Sequence, residues 1–284
     1  MTYSNIFIVG ASGQLGTALR KKYPNARYVD INELDITDRA SIQSFDWEDI
    51  EYIVNAAAYT NVDGAETEEG RVISWKVNAS AVSNLVEIAN QKNITMVHIS
   101  SDYVFDGSKK SYNENEPFSP LSVYGASKAA GDIACGLAKK YYILRTSWVI
   151  GEGNNFVRTM LELGKKGIEP AVVNDQTGRL TFTSELVRGI DHLLKNNCKY
   201  GIYNLTNSGN PASWADIARE IFKLSGLGYK VTDITTAEYY RGKKGIALRP
   251  LNSTLDLSKI ESTGFTPIDW NINLEKYVKK EISK

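Results

Sequence analysis

Two short stretches of the chain hold side chains able to move a proton at a carbonyl oxygen. Tyr124 and Lys128 stand four residues apart in Tyr124-Gly-Ala-Ser-Lys128, and on a helix that spacing stacks them one turn apart on one face. A free phenol titrates at about 10, too high to exchange its proton readily near neutrality, and a close cation favours phenolate and lowers that value. Ser101, within Ser100-Ser101-Asp102-Tyr103-Val104-Phe105, falls where a strand should end. Its hydroxyl can hydrogen-bond the same substrate oxygen, so the three side chains make a proton-donating, oxyanion-stabilising set. Tyr-x-x-x-Lys also occurs on many helices as an ordinary surface pair. The expected buried stripe of this helix is Ala126, Ala130, Ile133, Ala134 and Leu137, which leaves Tyr124, Lys128 and Asp132 together off it.

The N-terminus supplies what such a set would work with. Residues 5–9 are a short apolar run that suits a strand buried on both faces, and Gly10-Ala11-Ser12-Gly13-Gln14-Leu15-Gly16 follows at once, opening a helix to about Tyr23. Glycines at intervals of three let the backbone turn sharply, approach a pyrophosphate and pack helix on strand, with the helix N-terminus facing the phosphates. Asp30 ends a second strand, 27–29, at 20 residues beyond Gly10, where an acid can bind the adenosine ribose hydroxyls. Ile31 and Asn32 follow it rather than a basic residue. A ribose phosphate is therefore disfavoured: NADH is the favoured cofactor, and NADPH is allowed.

Further strands are expected at 52–60, 94–100 and 142–150, and helices at 38–45, 65–91 and 124–140. This alternation predicts an α/β fold, a Rossmann-type doubly wound parallel sheet over residues 1–150. From Gly151 the rhythm changes, with helices at 156–166, 183–195 and 213–224 and a polar loop at 174–178. Residues 151–284 are read mostly as a smaller C-terminal substrate-binding lobe, with a segment near 182–206 returning to the first domain through a strand at 201–205.

Lysine plus arginine equals aspartate plus glutamate at 33 each, so the formal charge is zero. No nucleic-acid or anionic-membrane surface is expected. No leader pattern opens the chain and no apolar run approaches the ~18 residues of a membrane span, so a cytoplasmic protein is expected. Cys135 and Cys198 are the two cysteines, neither a disulfide framework nor a ligand spacing, and His98 and His192 are isolated. No metal site is assigned, and His98 is expected to be a satisfied core histidine.

With the glycine turn, Asn55-Ala-Ala-Ala, Ser100-Ser-Asp-Tyr-Val-Phe, Tyr124-x-x-x-Lys128 and Arg145-Thr-Ser-Trp148 in view, the chain resembles the extended short-chain dehydrogenases/reductases, and more narrowly the dTDP-4-dehydrorhamnose reductase family. Gly153-Asn-Asn-Phe156, Asn174-Asp-Gln176 and Arg249-Pro250 extend the match nearly end to end. The resemblance implies that the chain reduces the C4 keto group of a dTDP-sugar. Tyr124 would donate a proton to the C4 oxygen while hydride arrives from the nicotinamide, and Lys128 would bind the nicotinamide ribose. Ser101 stands where the family usually has threonine. Ser101, Asp102, Tyr103 and Trp148 match substrate-contacting positions. On the cofactor side the matching positions are Gly10, Ser12, Gly13, Gln14, Leu15 and Gly16 in the turn and Asp30 at the ribose. Asp35 and Ile36 match at the adenine, and Ala57, Ala58, Tyr59 and Thr60 near the nicotinamide half. A homodimer is compatible with the family.

Two other readings share this fold. A sugar-nucleotide dehydratase needs an Asp-Glu pair after the hydroxyl residue, whereas Asp102 is followed by Tyr103. A regulatory subunit of the methionine adenosyltransferase type would have no need of the Ser101, Tyr124 and Lys128 set. Other reductases and epimerases acting on sugar nucleotides share the same fold and motifs. One local departure stands out: after Gly178 the chain has Arg179-Leu180-Thr181 where the family commonly has proline before threonine.

Overall fold

A computed structural model describes residues 3–284. β1 (Ile6–Val9) is buried along its whole length, as a strand covered by helices on both faces must be. α1 (Gln14–Lys22), β2 (Arg27–Val29), α2 (Arg39–Ser44) and β3 (Tyr52–Asn55) follow. α3 (Glu68–Trp75) and α4 (Ala81–Lys92) come next, then β4 (Thr95–Ser101), α5 (Val123–Cys135) and β5 (Tyr141–Thr146). The second half holds β6 (Val149–Ile150), α6 (Phe156–Lys165), β7 (Ala171–Val173), β8 (Thr177–Gly178), β9 (Thr181–Phe182) and α7 (Thr183–Lys195). It continues with β10 (Gly201–Asn204), β11 (Ala212–Ser213), α8 (Trp214–Leu224), β12 (Thr232–Ile234), α9 (Thr236–Tyr240), α10 (Ser258–Glu261) and α11 (Trp270–Ile282).

Six strands form one parallel sheet in the order β10-β5-β4-β3-β1-β2. Alternate residues of β1 enter opposite cores: Ile6 and Ile8 pack with α1 and α7, and Phe7 and Val9 with α2 and α4, as the two-residue period of a strand requires. The order reverses at β1, with β2 on one side and β3 on the other. Loops beyond the carboxyl ends of these two strands therefore border the crevice where doubly wound sheets take ligands. A third core unites Val157 and Leu161 of α6, Ile217, Ile221 and Phe222 of α8, and Leu274 and Val278 of α11.

Three expectations need correction. The helix expected over 65–91 is a 3-10 turn, then α3, a π turn at Lys76–Ser80, and α4. The strand expected over 142–150 breaks at Trp148, whose φ of 47 is left-handed, and β6 then pairs with β9 instead of the main sheet. The buried stripe of α5 is also inverted: Ile133 is 60% and Leu137 72% exposed, while Tyr124, Lys128 and Asp132 are buried. Gly125 and Gly131 explain the inversion. A Cβ at the first would collide with the Tyr103 carbonyl and at the second with the Asn78 carbonyl, so this glycine-bearing face is the one pressed against the turn after β4 and the π turn.

Candidate active site

The glycine loop is shaped by close backbone approaches. Gly10 has φ +79, and a Cβ there would lie 2.6 Å from Ala57 N, while one at Gly16 would run into the Gly10 carbonyl. α1 begins at Gly13 with no side-chain cap, which leaves backbone N–H groups available for an anion. Asp30 reaches back to this loop, its Oδ2 accepting from Ser12 N at 2.7 Å. Asp35 Oδ1 accepts from Thr37 N and Thr37 Oγ1, each at 2.8 Å, and Ile36 is buried in the core under α2 and α4.

A cavity of about 570 Å³ opens beyond the strand ends. Gly13, Gln14 and Leu15 line it from the loop, Ala58 and Thr60 from the segment after β3, Ser101, Asp102 and Tyr103 from the end of β4, Tyr124 and Lys128 from α5, and Trp148 from the break after β5. Gly10, Ser12, Gly16, Asp30, Asp35, Ile36, Ala57 and Tyr59 are not among its lining residues. Tyr59 is held from behind: its N–H donates to Asn78 Oδ1 at 2.9 Å, and Asn78 Nδ2 donates to its carbonyl at 3.1 Å. Asn78 sits in the π turn, so that irregularity in the helix fixes the segment after β3 beside the cavity.

At the centre, Ser101 Oγ donates to Asp102 Oδ1 at 3.1 Å and accepts from Tyr103 N at 3.2 Å. The rings of Tyr103 and Tyr124 meet edge to face with centroids 5.4 Å apart. Lys128 Nζ donates to the Ile99 carbonyl at 2.6 Å. Burial pushes the Tyr124 phenol up to about 12, against a lowering by Ser101 and with a further rise from Asp102. Burial also raises Asp102 to about 6 and lowers Lys128 to about 8, Asp132 opposing the latter. The lowering of Tyr124 expected from Lys128 is thus not found. The ammonium is committed to the Ile99 carbonyl, and burial governs the phenol instead. At neutral pH the phenol keeps its proton.

The chain also matches known proteins along nearly its whole length. The family model described as RmlD substrate binding domain covers residues 4–282. A dTDP-4-dehydrorhamnose reductase of Aggregatibacter actinomycetemcomitans is 42% identical over 290 residues, covering 94% of this chain and 96% of the relative. The chain belongs to the dTDP-4-dehydrorhamnose reductase family. A crystal structure of a family member from Clostridium acetobutylicum superposes with a TM-score of 0.89 at 37% identity, over 96% of this chain and 98% of the other. Another, from Bacillus anthracis in complex with NADP, also has a TM-score of 0.89, at 34% identity over 97% and 98% of the two chains.

Several residues of this family site come from parts of the chain that sequence reading did not connect with it. Trp214, the first residue of α8, stacks on Trp148 with centroids 3.8 Å apart and planes 18° from parallel. A second cavity of about 280 Å³ shares Tyr103 and Trp214 with the first and adds Gln176, Tyr239 and Arg249. Arg249 Nη2 donates to both Asp63 oxygens, at 2.9 and 2.8 Å. Gln176 and Arg249 lie in motifs that match the family, but nothing in the sequence tied those motifs to the site; for Trp214 and Tyr239 the advance signal was the aromatic type itself. In the segment after Gly178, where the family commonly has proline before threonine, Leu180 precedes Thr181 and Arg179 orders the loop: Nε donates to the Gly209 carbonyl at 2.7 Å and Nη1 to that of Leu255 at 3.0 Å. His98 pairs with Asn55 through Nδ1 at 3.3 Å but leaves Nε2 without a partner, so it is only half satisfied. No helix among the described residues is long and apolar enough to cross a membrane.

Proposed function

We propose that this chain reduces the C4 keto group of dTDP-4-dehydrorhamnose to give dTDP-L-rhamnose. The observation that carries the reading is the convergence of a protonated Tyr124, Ser101 and Lys128 in one cavity with the uncapped start of α1. The loop fits a dinucleotide: Gly13 and the free N–H groups of α1 suit its pyrophosphate, and Asp30 suits a ribose. A bound reduced nicotinamide supplies the hydride that adds to C4. Tyr124 Oη then gives its proton to the C4 oxygen, a transfer favoured because an alkoxide is a far stronger base than a phenolate. Ser101 Oγ holds that oxygen in place, and the Lys128 ammonium binds the nicotinamide ribose. Trp148 and Tyr103 provide aromatic walls for the sugar.

We assign NADH as the preferred cofactor. Asp30 and Glu33, whose Oε2 accepts from Asp30 N at 2.9 Å, place two carboxylates where a ribose phosphate would add negative charge. The Bacillus anthracis relative carries NADP, so both cofactors belong in the assay. A dehydratase would need a second acid beside Asp102, and Tyr103 occupies that position.

The test is oxidation of NADH and of NADPH by the purified protein on the 4-keto sugar nucleotide, with the product identified. Tyr124→Phe should lose at least about 100-fold in kcat, the low end for removal of a general acid, with NADH affinity close to wild type. Parallel loss of turnover and NADH binding would make Tyr124 a structural residue instead.

A further inference from the structure

The buried face of α5 carries a charge that the proposed reduction does not use. Asp132 lies one turn beyond Lys128, as Lys128 lies one turn beyond Tyr124. Its side chain is 1% exposed, and its Oδ2 accepts from Arg145 Nε at 3.0 Å; the guanidinium side, on β5, is 2% exposed. Arg145 is held in turn: Nη1 donates to the Glu114 carbonyl at 3.0 Å, and the rings of Phe105 and Phe118 lie 5.2 and 5.1 Å from Cζ. Asp132 Oδ1 has no hydrogen-bond partner. An ion pair this deep costs much of its attraction in desolvation, and apolar residues of similar volume commonly do as well or better. Stability alone does not account for it.

The surroundings of Lys128 suggest what does. Its ammonium is buried and rests on a neutral carbonyl, that of Ile99, which donates no counter-charge. On α5 itself the other titratable neighbours are Tyr124 and Cys135, both pushed up by burial and neutral near pH 7. β4 brings His98, which burial and Lys128 push well below its ordinary value, so it too is neutral. The turn after β4 brings Tyr103, raised by burial, and Asp102, which faces Ser101. β5 brings Arg145, a second cation, and the Glu114 carboxylate is turned to Asn204 N at 2.9 Å. Asp132 is left as the carboxylate one turn from the ammonium; burial pushes its pKa up, and Arg145 is the largest influence opposing that rise.

We propose that Asp132, anchored by Arg145, is a positioning residue whose charge, one turn from Lys128, keeps that side chain in its ammonium form, and so sets the alkaline limit of turnover. The proposal rests on the role given to Lys128 above. Burial pulls Lys128 down while Asp132 is the largest influence raising it. Removing the carboxylate therefore makes Lys128 lose its proton at lower pH, and the alkaline limb of the rate profile moves the same way.

Two readouts on Asp132→Asn decide it. The first is the titration of the Lys128 ammonium by ¹⁵N NMR on lysine-labelled protein, assigned with Lys128→Met; this needs no substrate. It should move to lower pH by about one unit or more, the usual effect of an opposite charge one turn away. The second is the pH profile of kcat, whose alkaline limb should move with it, giving about a tenfold loss above the limb and little loss at pH 6. Asp132→Glu should restore both. Arg145→Lys, which disturbs the pair but keeps both charges, should lower the melting temperature while leaving the limb near its wild-type position. If Asp132→Asn does not fold, Asp132→Ser, which also removes the carboxylate and leaves Arg145 in place, should shift the titration in the same direction. An unmoved Lys128 titration in the variant that folds overturns the proposal, as does a moved titration with an unmoved limb. A wild-type protein inactive on the sugar nucleotide would count against the proposed substrate, and the NMR titration would still decide the role of Asp132.

Discussion

At the residue scale, two groups of opposite chemistry are displaced by the same cause. Burial raises the Tyr124 phenol to about 12 and lowers the Lys128 ammonium to about 8, because both lose the hydration that favours their charged forms. The consequence for rate has a definite sign. Lys128 works as the ammonium, which is present below its pKa and lost as pH rises through it. The profile of kcat/KM, which reports the free enzyme, should therefore fall on the alkaline side with a midpoint near 8, well below that of an ordinary lysine. Steady-state kinetics from pH 6 to 10, with protein stability followed in parallel, checks it; a plateau to pH 10 would remove Lys128 from the rate-determining chemistry. Tyr124, Lys128 and Ser101 were legible in the sequence because their spacing is local and their chemistry belongs to the side chains themselves. The field they sit in was not, since it depends on burial and on packing that sets the Ile99 carbonyl of β4 and Arg145 of β5 against α5.

At the element scale, the glycine loop separates residues that serve packing from those that serve a ligand. A Cβ at Gly16 would meet the backbone of Gly10 and Ala11, neither of which can turn aside, whereas one at Gly13 would find its nearest neighbour, the Gly10 carbonyl, at 3.4 Å. Gly16→Ala should therefore destabilise the protein by about 1–3 kcal/mol, the usual cost of overpacking, and weaken dinucleotide binding because α1 must shift. Gly13→Ala should leave the melting temperature nearly unchanged and still lose affinity, because Gly13 lines the cavity. Thermal melts and NADH titration of the two variants distinguish the cases. Strand, turn, helix and acid were readable here because each carries its own local signal. α5 was misread for a complementary reason. Periodicity assigned Ile133 and Leu137 to the core on hydrophobicity, yet Gly125 and Gly131 bring the opposite face against the turn after β4 and the π turn. The polar groups of that face find partners across space, with Ser127 Oγ 2.9 Å from Ser74 Oγ and Asp132 bonded to Arg145. No window along the helix could reveal those partners.

At the scale of the whole molecule, the segment after β3 is joined to the C-terminal region by residues 186 positions apart in sequence. Arg249 makes a two-pronged bond to Asp63, and Ala247 N donates to the same carboxylate at 3.1 Å. Arg249 N in turn donates to Tyr240 Oη at 3.1 Å, and that hydroxyl donates to the Ala247 carbonyl, also at 3.1 Å. The pair is 20% and 41% exposed, so its worth to stability is small, about 0.2–1 kcal/mol. Its position gives it a larger consequence. Val62, beside Asp63, lines the first cavity and Arg249 the second, so the tie fixes a cation in the wall of the second cavity, and the proposed substrate is a diphosphate. Asp63→Asn should keep the fold, with a melting temperature within about 4 °C of wild type for a chain of this size. It should raise KM for the sugar nucleotide several-fold with a smaller effect on kcat, because Arg249 would no longer be held in one place before the substrate arrives. Arg249→Ala should raise KM further, since it removes the cation as well as its anchor. Kinetics and calorimetry on the two variants test the argument together: a lowered melting temperature with KM unchanged in both would make the tie a structural brace and place diphosphate recognition elsewhere in the cavity.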